Sequence, residues 1–227
     1  MIHLIETTHA GSVPASELPD WALSHGVTSL STAEVMHLCG LPANQVSQRM
    51  ASLRKGGKLF SPARGLWVPI PPEYRTWGAP DPMGYIDDMM AHLSAGYLVG
   101  WLTAAERHGA SHHAAQVFQV ATDKTVRARA FGRSRLEFYA RSYVGSATQS
   151  AELLRNTGVC VASPGATMLM LAADPGMCGG MSNVANLVIE LAEEHLDFEA
   201  EATTDAPLFP DAAARRLGWL LDAFGAG

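Results

Sequence analysis

No uninterrupted apolar run in this 227-residue chain approaches the roughly 18 residues that a membrane-spanning helix needs, which argues against a helical membrane protein. Charged residues make up only 17% and aromatic residues only 7%, but 48% of the chain is apolar, a balance that suits a globular fold and excludes a disordered or low-complexity one. The three cysteines, Cys39, Cys160 and Cys178, are an odd number without metal-ligand spacing. That excludes a disulfide framework and predicts reduced, mostly buried thiols in a cytoplasm. The opening MIHLIETTHAGS has neither a basic n-region nor an apolar h-region, so no signal peptide is expected. The most informative scarcity is local. Between Asn44 and Gly78 the single acid is Glu73, whereas Arg49, Arg54, Lys55, Lys58, Arg64 and Arg75, six of the sixteen Lys+Arg, fall in that interval.

The formal net charge of −6 therefore conceals a division. From Ser142 to Gly227 there are eleven Asp+Glu against three Arg. A second basic block holds Lys124, Arg127, Arg129, Arg133, Arg135 and Arg141. Asymmetry of this kind points to nucleic acid for the basic parts and to solvation for the acidic end, although a basic block can equally be a solvated face.

The first 70 residues predict three short helices followed by a hairpin. The first opens at Pro14 or Ser16 and stops at Gly26. Ser31 is a natural N-cap for the second, with Glu34 three residues on as in a capping box, and this helix, TAEVMHLC, ends at Gly40. The third runs from about Ala43 to Lys55 and is terminated by Gly56 and Gly57. Lys58 to Ser61 and Leu66 to Pro69 then predict two strands around the turn PARG. Three helices and a hairpin in this order make a winged helix-turn-helix. On the third helix Val46, Met50 and Leu53 form a packing stripe, while Gln45, Gln48, Arg49 and Ser52 form a long-reaching polar one. Gln and Arg hydrogen-bond adenine and guanine edges in the major groove. Asn44, Lys55, Lys58 and Arg64 stand where a helix end and a wing would meet phosphates.

The proline-rich PIPPEYRTWGAPDPMGY predicts an extended link, which places a winged-helix domain at 1–78 and a second domain at 79–227. In the second part YIDDMMAHL, LTAAERHGA, SPGATMLMLAA, NVANLVIELAEEHL and DAAARRLGWLLDAF predict helices, and QVFQVAT, RARAF, RLEFYA and GVCVAS predict strands. The fold class is α+β, a winged helix-turn-helix followed by a mixed α/β domain.

The order of the helix-turn-helix, LRKGGKLFSPARGLWVPIPPEYR, the proline link, GYLVGWLTAAERHGASHHAAQVFQVAT and SPGATMLML resembles the AbiEi-type transcriptional regulators, antitoxins of type IV toxin–antitoxin and abortive-infection systems. The similarity spans most of the chain. It implies an N-terminal domain that binds repeats in its own promoter on double-stranded DNA and represses transcription. It implies a C-terminal domain that neutralises a nucleotidyltransferase-like toxin without necessarily forming a stable complex with it. The residues on which DNA contact falls are Gln45, Gln48, Arg49, Ser52, Lys58 and Arg64. The chain departs from its relatives at Gly165 and Ala166, where many carry an acidic–basic pair, and in MLMLAA, where an aspartate is usual.

Other chemistry finds little footing, and no enzymatic activity, catalytic residue, metal or cofactor is expected. His108, His112 and His113 invite a metal reading but lack a cysteine or carboxylate at ligand spacing. No serine sits in a G-x-S-x-G turn, and GMCGGMSN lacks the lysine of a phosphate-binding loop. Asp87 and Asp88 would point about 100° apart on a helix. In RARAFGRSRLEF the alternating arginines leave two readings open, a solvated sheet face or a second surface meeting phosphate, toxin or RNA, formed by Lys124, Arg127, Arg129, Arg133 and Arg135. From a different class, the winged helix could be a protein-interaction adaptor that does not bind DNA.

Overall fold

The computed structural model describes residues 9–110, 117–147, 151–153, 158–195 and 197–224. It divides into two compact units, the first comprising residues 1–94 with 129–134 and the second 95–128 with 135–227.

In the first unit, α1 (Leu18–Ser24), α2 (Thr32–Cys39) and α3 (Ala43–Lys55) precede a hairpin of β2 (Leu59–Ala63) and β3 (Leu66–Pro69). The capping box is present: the Ser31 hydroxyl accepts from the Glu34 amide at 3.2 Å, and the Glu34 carboxylate accepts from the Ser31 amide at 2.6 Å. Gly40 closes α2 in the left-handed region at φ 61. Leu18, Ala22, Leu30, Val35, Leu38, Val46, Met50 and Leu59 form one buried cluster, with Leu53 partly buried against it. The hairpin acquires a third strand absent from the sequence reading, β1 (Leu30–Ser31), giving the order β1–β3–β2. Two residues carry too little pattern to announce themselves; Leu30 is recruited because it pairs with Trp67. β2 also runs on through Pro62 to Ala63, with the register irregular between Phe60 and Ala63 where proline offers no amide.

Residues 79–94, assigned from sequence to the second part, pack in the first unit. The reason lies in α4 (Ile86–His92), which buries Ile86, Met89 and Met90, and in Tyr85, whose ring meets the edge of Phe60 at 5.1 Å.

The second unit is built on strands in the order β7–β5–β4–β9–β8, where β4 is Tyr97–Val99, β5 Phe118–Thr122, β7 Ser134–Ala140, β8 Ala151–Leu153 and β9 Cys160–Ala162. β4 runs antiparallel to β5 and parallel to β9, and β5 runs parallel to β7. β6 (Arg129–Phe131) is shorter than RARAF suggests and falls in the first unit. The helices are α5 (Trp101–Arg107), α6 (Val144–Ala147), α7 (Pro164–Ala173), α8 (Met181–Glu194), α9 (Phe198–Asp205) and α10 (Asp211–Phe224). Every residue of α7 from Pro164 to Ala172 is buried, and α5, α8, α9 and α10 all pack on it. This fits a helix that is apolar all round. The start of α7 requires glycine at residue 165. A Cβ there would lie 2.5 Å from the Ala202 amide nitrogen and 2.6 Å from the Phe198 carbonyl oxygen, so α9 leaves no room for a side chain. Glu201 on α9 accepts from the Gly165 amide at 2.8 Å, a carboxylate set at the N-terminus of α7. No helix among the described residues is long and apolar enough to cross a membrane.

Two measurements check this packing. Gly165→Ala must displace backbone rather than a side-chain end, and urea unfolding should show a loss of about 1–3 kcal/mol. Burial, reinforced by Asp174, pushes the Cys178 thiol up to about 12 from an ordinary 9.0, and burial likewise raises the phenols of Tyr85 and Tyr143. The unfolded chain releases these protons from about pH 9 upward while the folded chain keeps them, so stability is full below pH 9 and falls as pH rises toward 12. The urea midpoint should therefore be lower at pH 11 than at pH 8.

Candidate nucleic-acid interface

Val46 and Met50 of α3 are fully buried, and this fixes which side of the helix meets water. The exposed side carries Asn44, Gln45, Gln48, Arg49, Ser52, Arg54 and Lys55. No acid occurs on the helix, and Arg54 and Lys55 lie in its last turn. Gln45, Gln48, Arg49 and Ser52 are thus brought onto one accessible stripe.

Arg64 is exposed at the turn between β2 and β3. That turn is anchored at its neighbour: the Gly65 carbonyl accepts from the Thr32 amide at 2.9 Å and from the Thr32 hydroxyl at 3.2 Å. The Arg64 carbonyl itself is met by His92 Nε2 at 3.0 Å. Gly65 adopts φ 82, and a Cβ there would stand 3.2 Å from Thr32 Oγ1. The turn carrying Arg64 is therefore seated on the start of α2 and on α4.

Lys58 differs from the others. Its ammonium lies 3.2 Å from Asp20 Oδ2, and Arg75 reaches Oδ1 of the same carboxylate at 3.5 Å. The acid that tempers this basic segment comes from α1, more than twenty residues before Asn44. It lies outside the segment in sequence, and only the packing of α1 brings it there. Arg49, Arg54, Lys55 and Arg64 meet no carboxylate among the described residues.

The second basic block is divided between the two units. Lys124 and Arg127 are exposed in the second unit, whereas Arg129 and Arg133 belong to the first. Arg135 pairs with Glu137 at 2.5 Å. Arg133 lies over the Trp77 ring at 5.8 Å, and the Arg129 Nε is buried with no hydrogen-bond partner among the described residues. Arg141 has a structural role, donating to Asp174 at 3.0 Å and stacking over Trp101 at 5.5 Å. Trp101 donates to the same carboxylate at 3.3 Å and holds φ 48, a conformation unusual for a tryptophan.

Of the histidine group, His112 and His113 lie outside the described residues, while His108 Nε2 meets the Ala162 carbonyl at 2.7 Å. Among the described residues no three His, Cys, Asp or Glu converge as metal ligands do. The Thr28 hydroxyl donates to Asp88 at 2.5 Å, and Asp87 also has a partner.

Residues 95–223 match the family described as the AbiEi antitoxin C-terminal domain. The match begins where the second unit begins and spans more than half of the chain. A crystal structure of the RV2827C protein from Mycobacterium tuberculosis is similar in fold, with a TM-score of 0.67 and 18% identity, over 95% of this chain and 80% of that one. No curated protein matches the chain significantly.

Gly65→Ala tests whether the turn is held as described. The positive φ should cost about 1–2 kcal/mol in urea unfolding, and an unchanged midpoint would show that the turn is not held in the left-handed conformation at Gly65.

Proposed function

Because the chain belongs to the AbiEi antitoxin family, we propose that it is the antitoxin of a type IV toxin–antitoxin system and that its first unit is a winged helix-turn-helix repressing its own operon. On this reading α2 and α3 form the helix-turn-helix and β2–β3 is the wing. The observation that carries it is the exposed, acid-free stripe on α3.

Gln45, Gln48, Arg49 and Ser52 would read base edges in the major groove of promoter repeats. Asn44, Lys55 and Arg64 would hold phosphates and set the helix in register. Lys58, tied to Asp20, contributes to positioning more than to charge neutralisation. The second unit, with the family match, acts against a nucleotidyltransferase-like toxin, and that action does not require a stable complex between the two. The chain works in the cytoplasm and performs no catalysis of its own.

The test is binding of the full chain to duplex DNA from upstream of its own gene, at several salt concentrations. One phosphate contact for each of the six cations between Asn44 and Gly78 would give a slope of log K against log salt near −5. With one of the six positive charges offset by the Asp20 carboxylate that Lys58 and Arg75 share, about five remain per chain and the slope falls to about −4.5. Arg49→Ala should relax base preference, whereas Arg64→Ala should weaken all duplexes alike. Unaltered binding in both variants would remove α3 and the turn from the interface. A flat salt dependence with a stable protein complex in a pull-down would favour the adaptor reading.

A further inference from the structure

We propose that the first unit carries a second nucleic-acid contact, built on Trp77 and Arg133, which grips the phosphate backbone of the duplex beside the segment read by α3. The proposal rests on the DNA-binding reading above and extends its footprint to residues far from α3 in sequence.

Trp77 is 48% exposed, yet it is held in place. Tyr74 meets its ring edge at 5.6 Å, and its carbonyl accepts from the Arg133 amide at 3.2 Å. That second contact demands glycine next door. Gly132 adopts φ 55, and a Cβ there would stand 1.6 Å from the Trp77 carbonyl oxygen. The bare turn lets the 129–134 segment seat against Trp77, and the seat delivers the Arg133 guanidinium to the indole face at 5.8 Å. Phe131 packs on Phe60 at 5.2 Å and fastens the same segment from its other side.

The result is an exposed arginine carried on a fixed aromatic ring, paired with no carboxylate among the described residues. A guanidinium held on a ring face keeps its N–H fork available for a planar or tetrahedral oxyanion. The contact is continuous with the candidate interface. From the end of α3 the surface passes through Lys58, Asp20 and Arg75, the last two joined at 3.5 Å, then through Tyr74 to Trp77 and Arg133. Along this path Asp20 offsets one of three cations; the other acid of the segment is Glu73, exposed beside Tyr74. An arginine held on a fixed aromatic ring suits a duplex backbone, whose phosphates accept from guanidinium N–H groups.

The experiment is a fluorescence-anisotropy titration of the full chain with labelled duplex from upstream of its gene and with an unrelated duplex, over a salt series. Arg133→Ala should weaken both duplexes several-fold and reduce the magnitude of the salt slope by about 1. Arg133→Lys should restore the slope, and Trp77→Ala should weaken both duplexes alike with base preference unchanged. If wild type binds with a steep slope and Arg133→Ala matches it, the second contact is overturned while the α3 reading stands. Loss confined to the promoter duplex would also overturn it, since a backbone contact cannot discriminate. If wild type itself shows no salt-dependent binding, the DNA reading fails instead.

Discussion

The burial of Val46 and Met50 determines the character of the first unit. Once those two side chains enter the cluster formed with Leu18, Val35 and Leu38, the rotation of α3 is fixed about its axis. Its glutamines, arginines and serine then have only one direction in which to point. Removing apolar surface from water at these few positions orients polar groups that contribute little to stability themselves. Packing chooses the face, and the polar residues on that face supply the chemistry.

Asp20 shows how one carboxylate can organise a basic surface without abolishing it. It lies between Lys58 and Arg75, where unopposed cations would repel one another, and its own exposure keeps the pairs weakly stabilising. Its effect is to position two long side chains rather than to strengthen the fold. The cations left over, Arg49, Arg54, Lys55 and Arg64, sit along α3 and at the tight turn and meet no carboxylate among the described residues. Charge in this unit is therefore graded, part of it bound up internally and part presented outward.

Much of the first unit was legible in the sequence because its signals are local. Ser31 with Glu34, Gly40 after α2, the Val46–Met50–Leu53 stripe and the glycines after Lys55 each depend on spacings of a few residues. What sequence could not show depends on residues meeting across long separations. Leu30 becomes a strand only because Trp67 is opposite it, and Asp20 matters only because α1 packs where it does. In the second unit the strongly periodic α8 and α10 could be read, whereas α9 could not. Its sequence FEAEATTD has no apolar stripe, and it is held by Ala202 against α7 and by the absence of a side chain at Gly165. The partners of the second basic block were hidden for a related reason. Alternation placed its arginines on one ribbon, but Glu137 takes Arg135, and Arg129 and Arg133 fall in the other unit.

The path of the chain carries a further implication. It leaves the first unit after Ser94, returns for residues 129–134 and leaves again, so the two units are interleaved in the gene although each is compact in space. No single cut yields both units whole, and a fragment ending at residue 94 would lack Phe131 against Phe60 and Gly132 against Trp77. Such a chain cannot be diversified by swapping one half as a cassette: a recombination event that imports a new second unit also imports six residues of the first, and those six must still fit Trp77.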